Sequence, residues 1–98
     1  MDTYNVIFTN EANEDLESIA RYIALDNVYK ALAFTSKLQE VITKTLSFFP
    51  NKYQSHKDCH MFPYGNYLVF YDICEKTKSV NILGISHSAQ YIRYKKYF

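Results

Sequence analysis

His87, Tyr91 and Arg93 are the residues of this chain whose types and spacing best fit acid–base chemistry on a phosphodiester. Attack by a ribose 2′-hydroxyl needs a group to take up its proton, a group to protonate the leaving oxygen, and a cation to hold the phosphorane charge. A histidine with an ordinary pKa near ~6.5 suits the proton transfers. Arg93 is one of only two arginines, the other being Arg21. The competing reading of His87 is structural: a histidine at a strand end commonly packs its ring on a neighbour and bonds to backbone. One acid–base residue without a strand-borne cation is half a site, and a chain terminus holds Tyr91 and Arg93 less firmly than a strand would. The chain has no Gly-rich phosphate loop, no Ser-His-Asp set and no activated cysteine pattern. With His56, His60 and His87 scattered and no CxxC, neither a zinc site nor any cofactor is expected.

The same region carries the charge. After Glu75 there is no acidic residue, while Lys76, Lys78, Arg93, Lys95 and Lys96 contribute +5, so the first 75 residues carry −4 within a formal total of +1. Such a cationic end suits an anionic partner: a nucleic acid, a ribosome or an acidic protein. The stretch Tyr91-Ile-Arg-Tyr-Lys-Lys-Tyr-Phe98 interleaves aromatics with cations. That pattern fits base stacking with phosphate contacts, and equally a segment that docks Ile92 and Phe98 while its cations stay solvated.

These residues need a scaffold, and 98 residues provide one domain, 1–98, with 88–98 as a basic aromatic tail. No apolar run approaches the ~20 residues needed to cross a bilayer, and Met1-Asp-Thr-Tyr4 does not open like a signal peptide. A soluble, cytoplasmic protein is expected. Tyr4 to Phe8 reads as a strand. Thr9 or Asn10 can cap a helix over about 10–24, on which Ala12, Leu16, Ile19, Ala20 and Ile23 recur at helical spacing. Glu14, Asp15, Glu17 and Arg21 are placed on or beside its exposed face, with Glu17 and Arg21 an i,i+4 pair. Asp26-Asn27 punctuates the chain, and Ala31, Phe34, Leu38, Val41, Ile42, Thr45, Leu46 and Phe49 form a second stripe that ends before Pro50.

Pro50 to Lys57 reads as a polar loop. Three strands follow, Asp58–Pro63, Asn66–Glu75 and Ser79–His87, with turns at Tyr64-Gly65 and Lys76-Thr77. Both faces of the middle strand are apolar or aromatic, so it should be central and covered on both sides. The turn at Tyr64-Gly65 sets Cys59 opposite Phe70, leaving Cys59 and Cys74 about four residues out of register, roughly 13 Å at ~3.3 Å per residue. A disulfide needs Cα atoms within ~7 Å, so both cysteines are expected to be reduced. The order β-α-α-β-β-β specifies a two-layer α+β domain, with an α-hairpin on an antiparallel sheet of order 1-4-3-2.

Val6-Ile-Phe-Thr9 with Ala12, Asp15-Leu16, Ile19 and Tyr22-Ile23, then Phe49-Pro50, Asn66-Tyr-Leu-Val-Phe-Tyr71 and Val80-Asn-Ile-Leu-Gly-Ile-Ser-His87 with Ser88-Ala-Gln90, resemble the RelE/ParE superfamily of toxins from type II toxin–antitoxin modules. The resemblance covers nearly the whole chain and implies the same β-α-α-β-β-β fold. It also implies a cognate antitoxin as partner. RelE-like members are ribosome-dependent mRNA endoribonucleases, whereas ParE-like members act on DNA gyrase. RelE-like enzymes usually carry an arginine directly after the tyrosine here numbered Tyr67; this chain has Leu68, which cannot hold a phosphate. The resemblance is therefore closer to the ParE-like branch, in which the expectation is growth inhibition through a protein target, as in plasmid stabilization modules. The alternatives are a ribosome-dependent ribonuclease using His87, Tyr91 and Arg93 on the ribosome and mRNA, or a degenerate, non-toxic member. The residues expected to meet antitoxin or target are Arg21, Lys76, Lys78, His87, Arg93, Lys95 and Lys96. The helical hairpin is implied as part of the antitoxin surface.

Overall fold

The computed structural model describes residues 3–53, 55–56 and 59–87. The tail positions Tyr91, Arg93, Lys95 and Lys96 lie outside the described residues. A short strand, β1 (Asn5–Phe8), leads into α1 (Asn10–Ala24) and α2 (Val28–Phe48), followed by β2 (Ser55–His56), β3 (Cys59–Tyr64), β4 (Tyr67–Cys74) and β5 (Ser79–His87). Thr9 caps α1, its hydroxyl accepting from the Ala12 N–H, and Asn27 caps α2 by accepting from the Lys30 N–H. Among the described residues no helix is long and apolar enough to cross a membrane.

The strands form one sheet in the order β1-β5-β4-β3-β2. Without the two-residue β2 this is the expected order 1-4-3-2, with β4 central and the two helices on one face. Three details differ from the expectation. First, β1 runs parallel to β5, so the sheet is mixed. Second, Ser55–His56, inside the segment read as a loop, pairs with β3 as an edge strand. Third, the β3–β4 turn is Gly65-Asn66, closed by the pair Tyr64↔Tyr67. Gly65 takes φ +57, the positive value that two-residue hairpin loops demand. The register is thus shifted by two: one step beyond His60↔Tyr71, Cys59 falls level with Asp72 instead of Phe70. Both cysteines are free thiols.

Side chains alternate across the sheet with a period of two. On the helix side, Phe62, Val69, Tyr71, Val80, Ile82 and Ile85 pack against Ala12, Leu16 and Ile19 of α1 and Leu38, Ile42 and Leu46 of α2. β5 cannot keep this up by simple alternation, because 82 and 85 differ in parity. A bulge resolves the conflict: Phe70 pairs with Gly84 but Tyr71 pairs with Ile82, so Leu83 is the additional residue. The opposite face holds a second apolar cluster, with Cys59 and Phe70 buried and Met61, Leu68 and Leu83 against them. Coverage on both faces of β4 follows from these two clusters.

One α1 residue departs from its expected place. Asp15 is buried, not on the exposed face, and its Oδ2 accepts the Ile85 backbone N–H at 2.9 Å. The reason lies in the lengths of the strands. β1 pairs with β5 only as far as Phe8↔Ile82, so the outer edge of β5 continues without a strand beside it. Thr9 donates its hydroxyl to the Ile82 carbonyl at 2.7 Å, and Asp15 takes up the next edge amide that faces α1.

Candidate functional site

His87 ends β5 and is exposed. It pairs with Tyr67, and their rings meet edge-on with centroids 5.4 Å apart. Phe34 of α2 leans on Tyr67 at 5.4 Å and on Tyr64 at 6.1 Å. Burial pushes the Tyr67 phenol above its ordinary pKa, and the neighbouring Tyr22 phenol adds to the rise. His87 therefore stands on the helix side of the sheet at the rim of an aromatic group. Leu68 pairs with Ser86, one residue out of phase, and points to the opposite face. The acid–base candidate and the position where a phosphate-holding cation was sought do not share a surface.

The sheet as a whole is poor in cations. None of the described strands contains a lysine or arginine, and their single carboxylate, Asp72, accepts from the Asn81 side-chain amide at 2.9 Å. Leu68 sits in the apolar cluster with Phe70, Met61, Cys59 and Leu83. That face is built to exclude water and charge, and a phosphate placed there would lose its hydration with nothing to replace it. Among the described residues no group of three or more His, Cys, Asp or Glu side chains is placed to hold a metal.

The remaining candidates are spread out. Arg21 projects from α1, 3.7 Å from Glu17, in a pair that is mostly solvated and worth no more than ~0.5 kcal/mol. Lys76 and Lys78 lie in the β4–β5 turn, at the other end of β5 from His87 and about 26 Å away by strand rise. Lys78 is engaged there, 3.4 Å from Glu75 and over the Tyr4 ring. The Tyr4 hydroxyl donates to Glu75 at 2.7 Å, which raises the phenol's pKa and lowers that of the carboxyl. The described part of the cationic segment is thus not one surface.

What the structure does assemble is an apolar stripe on the helical hairpin. Tyr22, Leu25, Val28, Tyr29 and Leu32 are between 58% and 86% exposed. Positions 25, 28, 29 and 32 follow helical i, i+3, i+4, i+7 spacing, so they line one side of the hairpin tip. Exposed ion pairs flank them, Lys30–Asp26 at 3.7 Å and Arg21–Glu17. An apolar strip with a charged rim fits a partner helix better than it fits solvent. The sequence reading followed the buried stripe of α2 and passed over Leu25, Tyr29 and Leu32. Their signal was present: they are large apolar residues left outside that stripe.

The sequence pattern described as the ParE toxin of type II toxin–antitoxin systems, parDE, matches residues 6–91. Among solved structures, the chain is similar to the toxin–antitoxin complex RelBE2 from Mycobacterium tuberculosis, with 23% identity, a TM-score of 0.65, and coverage of 87% of this chain and 98% of that one. It is similar to the chromosomal ParDE system from P. aeruginosa, with 19% identity, a TM-score of 0.68, and coverage of 86% and 95%. A mutant of the E. coli toxin RelE in its free state matches with 15% identity, a TM-score of 0.58, and coverage of 97% and 94%. At these identities the structural matches establish the fold. No curated protein matches the chain in sequence.

Proposed function

Because the chain belongs to the ParE toxin family of type II toxin–antitoxin systems, we propose that it inhibits growth by binding a protein, DNA gyrase being the target its ParE-like character implies, and that a cognate antitoxin neutralises it. The observation that carries this reading is the sheet without cations. RNA cleavage requires charge stabilisation at a fixed point, and the face that would supply it is the apolar cluster around Leu68 and Phe70. The hairpin stripe supports protein recognition in its place, and the antitoxin is its proposed occupant. His87, Arg21, Lys76 and Lys78, together with the tail cations Arg93, Lys95 and Lys96, then serve as binding residues.

Expression from an inducible promoter tests the reading. The expected result is arrest with filamentation and a DNA-damage response, relieved by co-expressing the small acidic protein encoded beside this chain. A strain that grows normally would mark a non-toxic member and overturn the proposal.

A further inference from the structure

The far end of α2 carries a second exposed apolar feature that the toxin reading does not use. Phe48 and Phe49 are 51% and 60% exposed with ring centroids 6.5 Å apart, and with Pro50, Asn51 and Lys52 they line an open cleft of about 580 Å³. The cleft is built on fixed backbone. The Phe49 N–H donates to the Thr45 carbonyl, the Lys52 N–H donates to the Phe49 carbonyl, and the buried Tyr71 hydroxyl donates to the Pro50 carbonyl at 2.8 Å. Its shape therefore precedes any ligand.

Its charge is one-sided. Lys52 lines the cleft and has no carboxylate partner among the described residues. On the other flank, the Tyr4 N–H donates to the Ser47 carbonyl, next to Phe48, and Lys78 lies 5.2 Å over the Tyr4 ring. Lys52, Lys76 and Lys78 against Glu75 leave this end of the molecule at +2. That outweighs the roughly half negative charge of a helix C-terminus.

We propose that this cleft is a second docking site, taking a short acidic segment with aromatic or aliphatic side chains from a protein partner. The rings supply the apolar anchor, and the lysines select against basic and neutral sequences. A second copy of the chain fits less well, because a two-fold contact would set +2 against +2. The proposal goes beyond the growth-inhibition reading and does not depend on toxicity.

Selection of a random dodecapeptide phage library on the purified full-length chain tests it. The enriched peptides should be net acidic and contain Phe, Leu or Ile. Synthetic versions should bind Phe49→Ala and Lys52→Glu at least about tenfold more weakly, and should bind Leu32→Ala, on the hairpin, as well as the parent. Circular dichroism of each variant checks folding, and Phe48→Ala serves if Phe49→Ala does not fold. Absence of enrichment, basic or neutral winners, or winners lost only in Leu32→Ala would overturn the proposal. So would a concentration-dependent dimer abolished by Phe49→Ala, which would assign the cleft to a second copy.

Discussion

Asp15 and Tyr71 each commit a buried polar group to one backbone partner. The Asp15 carboxylate holds the Ile85 N–H, and the Tyr71 hydroxyl donates to the Pro50 carbonyl. Replacing Asp15 with Ala strands a buried donor, which costs about 1–3 kcal/mol. Asn keeps an acceptor in place and should recover most of the loss. Urea unfolding of the two variants separates the hydrogen bond from simple packing: equal losses would mean the bond contributes little. Burial pushes the Tyr71 phenol up to about 12, from an ordinary value near 10. Because the folded state holds this proton more tightly, the stabilisation is complete below the unfolded pKa near ~10. It is lost as pH rises toward about 12, where the folded phenol also ionises. Between those values stability should fall by an amount on the order of 2 kcal/mol. Tyr71→Phe should flatten that fall while lowering stability at neutral pH, which alkaline denaturation curves would show. Composition hid the role of Asp15, since a charged residue in the first turns of a helix is ordinarily solvated and dipole-favoured. Its position between Ala12 and Leu16 was nonetheless on the core side.

Among the elements, the helices were the most legible, because Leu16 and Ile19, and Leu38, Ile42 and Leu46, repeat on a period that only a helix satisfies. The sheet order followed from the apolar character of both faces of β4. The direction of β1 did not, because it depends on where α2 returns the chain, which no periodicity records. The bulge at Leu83 was also missed, although Val80, Ile82 and Ile85 break strict alternation beside a glycine. The hairpin stripe is where the elements bear on function. Tyr29→Glu with Leu32→Glu should change stability by under about 0.5 kcal/mol, as exposed substitutions do. The same pair should weaken antitoxin binding at least about tenfold. Calorimetric titration with the antitoxin checks this, and a wild-type affinity would move the interface elsewhere.

At the scale of the whole molecule, the formal charge of +1 conceals two different ends. The hairpin end is apolar with paired charges around it, and the end of α2 with the β4–β5 turn is cationic. Between them runs a sheet whose described strands hold no lysine or arginine. The sequence made the absent strand arginine plain at Leu68. It did not reveal that His87 and Leu68 face opposite ways, because that depends on the β4–β5 register. A catalytic surface for RNA needs proton transfer and charge stabilisation within one small volume; this sheet separates the first and lacks the second. Mapping mRNA 5′ ends in cells arrested by the induced chain tests this most directly. The ends should match those of uninduced cells, whereas new ends at ribosomal A sites, abolished by His87→Ala, would contradict the account.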